Sequence, residues 1–249
     1  GSEMCIRDSD SRVIRAAKDN NTLPMLVMTN IGSTGRFDSD LAHDILSNEA
    51  VQERLISNLI TTLRNKGYAG VDIDFEYVYP MDKELYNAFL EKVVTRLYEE
   101  DFIVTTALAP KVREDQPGTL YEAHDYVTHG RLADHVIIMT YEWGYTYGPP
   151  MAVAPINQVE RVIQYAVTAI PSKKILMGIP NYGYDWTLPY EQGRPAKSIS
   201  NTAAVALAVE KGVQIQFDPV AKAPYFYYKD DSGALHIVWF EDARSIKAK

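Results

Sequence analysis

Cysteine is almost missing from this sequence. Cys5 is the single one in 249 residues, which excludes an internal disulfide and leaves no thiolate set for a zinc site. It falls in Gly1–Ser9, which lacks the apolar centre of a signal peptide and opens on Gly1-Ser2, a pair that reads as a cloning scar. These nine residues are expected to be a disordered leader, outside the fold. No apolar run nears the ~20 residues that a membrane span requires. Positive charge is also short: 25 Lys and Arg stand against 33 Asp and Glu, for a formal net charge of −8. Such a chain is a poor partner for nucleic acid or an anionic membrane, and neither is expected. His43, His124, His129, His135 and His236 show no HExxH or paired-ligand spacing, so packing is the expected role of each. Ile31-Gly32-Ser33-Thr34-Gly35 is glycine-rich but lacks the Gly-Lys-Ser/Thr of a phosphate loop. No cofactor and no metal are called for.

What remains is ordinary for a globular protein, with 46% hydrophobic and 23% charged residues, enough for a sizeable core. Apolar runs of strand length occur at Leu23–Thr29, Gly70–Glu76, Phe102–Leu108, His135–Tyr141 and Ile175–Ile179. Between them lie helical spacings over Asp38–Lys66 with a break near Asn48, Met81–Glu99, Leu120–Gly130 and Pro155–Ala169. Repeated βα units of this kind predict a parallel sheet covered by helices. The last quarter breaks the rhythm. A helical stretch at Asn201–Lys211 precedes two strand-like runs, Tyr225–Tyr228 and His236–Phe240, about Asp231-Ser232-Gly233, which predicts a β-hairpin.

The most informative stretch is Asp72-Ile73-Asp74-Phe75-Glu76. Alternate residues of a strand share a side, so three carboxylates face one way while Ile73 and Phe75 face the other. Like charges in a row discourage one another from ionising. That gains a fold nothing, but suits an enzyme that needs a carboxylic acid still protonated near neutral pH. A solvated acidic edge strand and a carboxylate metal site are the alternatives.

Several ordered segments resemble glycoside hydrolase family 18, the chitinase-like (β/α)8 barrels. Gly70-Val71-Asp72-Ile73-Asp74-Phe75-Glu76 resembles that family's DGxDxDxE signature, with Ala69 at its first acidic position. Met139-Thr140-Tyr141-Glu142 resembles its MxYD motif, Lys174–Trp186 its seventh strand, and Trp239 the tryptophan of its eighth. Within the family, Met139–Tyr145 and Gly148–Ala152 look most like the bacterial spore cortex-lytic N-acetylglucosaminidase group. The implied fold is an α/β TIM-type barrel over residues 10–186, a small α+β insertion over 187–235, and a last barrel strand with the start of a final helix over 236–249. Six barrel strands are visible where a closed barrel needs eight, and the insertion leaves roughly 200 residues for them. The barrel is therefore expected to be incomplete, lacking its first two strands and last helix. Its free edges, open to self-association, are expected at Leu23–Thr29 and His236–Phe240.

The resemblance implies a glycosidase. Glu76 would protonate the leaving oxygen. Asp74 would hold the sugar's acetamido N–H, Tyr141 would aim its carbonyl at the anomeric carbon, and Asp72 would set the protonation of Asp74. Trp239 is expected as the floor of the sugar subsite, with Tyr182, Tyr184, Trp143, Tyr145, Asn30, Met139 and Asn181 as further binding candidates. Seventeen tyrosines and three tryptophans supply flat faces on which sugar C–H groups pack. The partner implied is an N-acetylglucosamine-containing polysaccharide, peptidoglycan of the spore cortex or chitin-like, and the location implied is cell wall, spore coat or extracellular. An inactive sugar-binding protein of the same fold is the alternative, and a metal-dependent enzyme using the same carboxylates a third.

Overall fold

The computed structural model describes residues 10–249, so the expectations for Gly1–Ser9 and Cys5 lie outside the described residues. The chain divides into two compact units, Asp10–Ile138 with 166–176, and Met139–Tyr165 with 177–249.

The first unit opens with a helix that the sequence reading did not expect, α1 (Asp10–Asp19), followed by β1 (Met25–Thr29), α2 (Ser39–Leu46) and α3 (Glu49–Lys66). Next come β2 (Gly70–Asp74), α4 (Lys83–Tyr98), β3 (Ile103–Leu108), α5 (Tyr126–Leu132) and β4 (His135–Ile138). After α6 (Ile156–Ala169), β5 (Ile175–Met177) completes a five-stranded sheet in the order β1-β2-β3-β4-β5. The register is parallel, with Val27 opposite Asp72, Asp72 opposite Thr105, and Thr105 opposite His135.

Capping explains the helix boundaries. The predicted break near Asn48 is an N-cap, whose side chain accepts from the Val51 N–H at 3.2 Å. Asp38 caps α2 in the same way, and α3 ends on Gly67, whose φ of 76° is costly for other residues. The apolar stripes of α3 and α4 then bury Leu59, Leu63, Phe89, Leu90 and Val93 against Val71, Ile73 and Phe75 in one core. The strand ends are shorter than expected. β2 stops two residues before Glu76, and β4 and β5 stop at Ile138 and Met177, because apolar composition continues past the last ladder hydrogen bond. The helix expected from Leu120 starts at Tyr126, capped by Asp125.

The second unit holds a five-stranded antiparallel sheet. Its strands are β6 (Tyr182–Leu188), β7 (Lys197–Ser200), β8 (Gln216–Asp218), β9 (Ala223–Lys229) and β10 (Leu235–Trp239), in the order β7-β6-β10-β9-β8. The predicted hairpin is β9–β10, its turn held by Asp230 Oδ1, which accepts from the N–H groups of Ser232 and Ala234. Helix α7 (Asn201–Glu210) buries Ala204 and Ala208 against Phe226, Tyr228, Val238 and Phe240, and α8 (Ala243–Ala248) closes the chain.

Two expectations need correction. Five parallel strands are present among the described residues rather than six, because the run at His236–Phe240 pairs with β6 and β9. That run is accordingly the middle of the antiparallel sheet and not a free edge. Strand composition shows that a segment pairs, but not with which neighbour. At the other expected edge, β1 is paired on one side, by β2, and Val27 is exposed.

At Gly70 a Cβ would sit 2.0 Å from the Ile103 carbonyl oxygen across the ladder. Gly70→Ala is therefore expected to destabilise the chain by about 1–3 kcal/mol, as overpacking does. Thermal unfolding of the variant beside the parent chain checks this; an unchanged midpoint would contradict the packing described here.

Candidate active site

β2 carries its acidic residues into a dry setting. Ile73 and Phe75 are fully buried on the helix side, and Asp72 on the opposite side is only 7% exposed. Asp72 Oδ1 accepts a 2.5 Å hydrogen bond from the Thr105 hydroxyl, its neighbour across the β2–β3 ladder. Burial raises the Asp72 pKa, and the Thr105 bond opposes that shift. Asp74 has no such partner: its Oδ1 is buried and makes no hydrogen bond among the described residues. Burial first, and then the charge of Asp72, pushes Asp74 up to about 6. Glu76 lies beyond the strand in irregular backbone and is partly exposed.

The backbone around Glu76 is held by side chains. Asn30, just past the end of β1, is fully buried. Its Oδ1 accepts from the Glu76 N–H at 2.9 Å, and its Nδ2 donates to the carbonyls of Glu76 at 2.8 Å and Asp38 at 3.0 Å. The expectation that Asn30 lines a sugar subsite is thus corrected: its amide is spent on backbone and is closed to solvent. His124 acts one residue earlier. Its Nδ1 accepts from the Ala109 N–H at 2.7 Å, and its Nε2 donates to the Phe75 carbonyl at 2.9 Å. Burial lowers its pKa to about 4. Just past Glu76, Tyr77 takes a φ of 54°, its carbonyl accepting from the Ser39 hydroxyl at 2.6 Å.

The second unit gathers the aromatic candidates. Alternation on β6 puts Tyr182, Tyr184 and Trp186 on one face, and Tyr184 lies opposite Trp239 of β10. Tyr184 and Trp186 are buried in one cluster, against which Tyr141, Tyr182, Tyr225 and Trp239 pack. Tyr225 stacks on one face of Trp239, with centroids 4.6 Å apart. Trp239 Nε1 is buried without a partner among the described residues. The hydroxyls of Tyr182 and Tyr184 donate to Glu142 at 2.5 and 3.0 Å, and Glu142 has a φ of 67°.

Of the residues singled out from sequence, Asp72, Asp74 and Glu76 fall together at the end of β2, and Tyr141, Tyr182, Tyr184 and Trp239 in the aromatic cluster. Trp143 and Tyr145 sit in the loop after Tyr141, Asn181 is exposed just before β6, and Met139 is buried. Sequence reasoning passed over Thr105, His124 and Glu142. His124 was assigned to packing because its partners are backbone groups, which leave no spacing pattern to read. Among the described residues no group of three or more His, Cys, Asp or Glu side chains is arranged to hold a metal ion.

The chain matches the family description "Glycosyl hydrolases family 18" over residues 10–249. It is 45% identical over 240 residues to the cortical fragment-lytic enzyme of Bacillus anthracis, covering 96% of this chain and 55% of that protein. The crystal structure of the spore cortex-lytic enzyme SleL from Bacillus megaterium QM B1551 superposes with a TM-score of 0.91 at 47% identity, over 95% of this chain and 54% of that one. A chitinase from Chromobacterium violaceum ATCC 12472 has a TM-score of 0.88 at 25% identity, over 97% of this chain and 74% of its own. The chain spans about half the length of the cortex-lytic relatives. With a match running from Asp10 to the last residue and a relative at 45% identity over nearly all of it, the chain belongs to glycosyl hydrolases family 18.

Proposed function

We propose that this chain is a glycosidase that cuts β-1,4 bonds following N-acetylglucosamine, in spore-cortex peptidoglycan or a chitin-like polymer, by a substrate-assisted retaining mechanism. The observation that carries the reading is the graded environment of the three carboxylates: Asp72 buried and hydrogen-bonded, Asp74 pushed up to about 6, Glu76 partly exposed beyond the strand. Family membership and the names of the cortex-lytic relatives support it, and point to the spore or cell wall as its place.

In this mechanism Glu76 gives its proton to the glycosidic oxygen, the leaving sugar departs with it, and the acetamido carbonyl oxygen of the remaining sugar closes on the anomeric carbon. A water then opens the oxazolinium-type ring, giving its proton back to Glu76 and restoring the original anomeric configuration. The unpartnered Oδ1 of Asp74 is an acceptor for the acetamido N–H, and its charge would offset the positive charge that develops on the ring. Tyr141 would steer the acetamido carbonyl and Trp239 would support the sugar face, a role suited to their place in the aromatic cluster.

Glu76→Gln keeps the shape but has no proton to give, so hydrolysis should fall by about 10²–10⁴ while oligosaccharide binding persists. Reducing-end assays and titration calorimetry read the two quantities. Full turnover in the variant would move the acid elsewhere, and a parent chain that binds but never cuts would favour the inactive sugar-binding protein.

Asp74 is protonated below its pKa of about 6, so kcat/KM should fall as pH drops through that value. In Asp72→Asn the limb should move to lower pH, because the charge of Asp72 no longer raises Asp74. Asp74→Asn and Tyr141→Phe should each slow cutting, and a plain β-1,4-glucan should not be cut. A raised carboxyl pKa in the folded state also means that stability is lost as pH rises from about 4 to about 6. Asp74→Asn should therefore be more stable than the parent at pH 7 and no more stable at pH 3. A pH-independent difference in melting temperature would exclude this assignment.

Cortex peptidoglycan alternates N-acetylglucosamine with a lactyl-bearing sugar. A net charge of −8 favours regions whose lactyl carboxylates are masked, as in muramic lactam. Digestion of cortex fragments beside chitin oligomers, with mass analysis of the new ends, should show faster cutting of cortex and N-acetylglucosamine at the new reducing ends. Faster cutting of chitin oligomers, or muramic reducing ends, would return the assignment to a general chitinase.

A further inference from the structure

We propose that Asn30 and His124 are positioning residues, which aim the Glu76 side chain by gripping the peptide backbone from Phe75 to Glu76. This inference rests on the reading of Glu76 as the acid.

β2 pairs with β1 only as far as Thr29 opposite Asp74, and with β3 only as far as Ile73 opposite Thr106. From Phe75 onward the backbone has left both ladders. A candidate acid is thereby placed on a segment that secondary structure no longer fixes, although proton transfer tolerates little misplacement. Two side chains take over where the ladders stop. The Asn30 carboxamide offers a C=O and an N–H from one planar group, and both meet Glu76, as the peptide of a neighbouring strand would. The second N–H of the same amide holds the Asp38 carbonyl, and Asp38 N–H donates to the Asn30 carbonyl at 2.9 Å. Asn30 therefore ties Glu76 to the N-cap of α2.

From the opposite side His124 fixes the Phe75 carbonyl. The Ala109 amide can only donate, so Nδ1 is the bare nitrogen and Nε2 carries the hydrogen that reaches Phe75. With its pKa lowered to about 4 by burial, the ring stays neutral at the pH where a Glu76–Asp74 pair would work, and the grip does not titrate with it. Lys111 Nζ donates to the His124 carbonyl at 3.1 Å, which fixes the loop that carries the ring. Both gripping residues are at most 1% exposed, too deep to touch a polymer, so their effect on the reaction passes through Glu76.

A residue that aims a proton donor leaves a signature that a residue important only for folding does not. Its loss should matter when the leaving group needs a proton and should scarcely matter when it does not. The test compares an N-acetylglucosamine oligosaccharide with a dinitrophenyl glycoside of the same sugar, for the parent chain and for Asn30→Ala, His124→Asn, His124→Gln and Glu76→Gln. Asn30→Ala should lower kcat on the oligosaccharide by roughly 10- to 100-fold, with KM unchanged, and by less than about 3-fold on the dinitrophenyl substrate. His124→Asn keeps an acceptor for Ala109 but loses the donor to Phe75, so it should behave alike, whereas His124→Gln restores a donor and should recover most of the rate. If Asn30→Ala does not fold, Asn30→Ser and the His124 pair read the same ratio.

Equal losses on the two substrates would overturn the positioning role, provided that Glu76→Gln itself distinguishes them. If Glu76→Gln fails to distinguish them, or the parent chain cuts neither, the acid assignment falls and this inference falls with it.

Discussion

A carboxylate buried on an inner strand is costly to ionise, and much of the first unit is arranged around that cost. Asp72 and Asp74 lie on β2 between a helix-covered core and neighbouring strands. One of them is relieved by the Thr105 hydroxyl, and the Oδ1 of the other has no hydrogen-bond partner among the described residues. The unrelieved group is the one whose pKa reaches about 6. Proteins retain such a group at the expense of stability when its proton affinity is useful.

The two ends of the parallel sheet are treated differently. At the amino-terminal ends of the strands, Asp134 accepts from the Val104 N–H and the Tyr98 hydroxyl, and Lys174 donates to the Gly130, Arg131 and Ala133 carbonyls. Those contacts close the last turns of α4 and α5 onto the sheet. At the carboxyl-terminal end of β2 the buried side chains of Asn30 and His124 hold the backbone that carries the carboxyls. In α/β barrels of this kind the chemistry lies at the carboxyl-terminal ends of the strands.

The antiparallel sheet makes a similar division between its faces. Side-chain alternation sends Asp185 toward Tyr228 and His236 on the side where α7 packs, with bonds of 2.6 and 2.8 Å that satisfy a nearly buried carboxylate. The same alternation sends Tyr182, Tyr184 and Trp239 to the other face. There Glu142 gathers two tyrosine hydroxyls, and the Trp239 N–H has no hydrogen-bond partner among the described residues. A period of two residues thus separates the face on which α7 packs from the face that carries the aromatic cluster.

Local patterns in the sequence carried a large share of this. The break at Asn48, the hairpin about Asp231-Ser232-Gly233, the parallel βα order and the shared side of Asp72 and Asp74 were legible, because capping, turn chemistry and strand alternation act within a few residues. Ordered motifs identified the family, as Glu76, Tyr141 and Trp239 sit in short stretches with recognisable neighbours. The partner of a strand is a different matter. Leu235–Trp239 has the composition of a barrel strand, and only long-range pairing assigned it to the middle of the antiparallel sheet. Asn30 looked like a sugar-binding residue, and His124 like packing, because their partners, 46 and 49 residues away, are backbone groups that any residue type supplies. Residue type and spacing determined which chemistry the chain could carry. Tertiary structure decided which groups hold it in place, since a hydrogen bond to a peptide leaves no mark on the sequence of its partner.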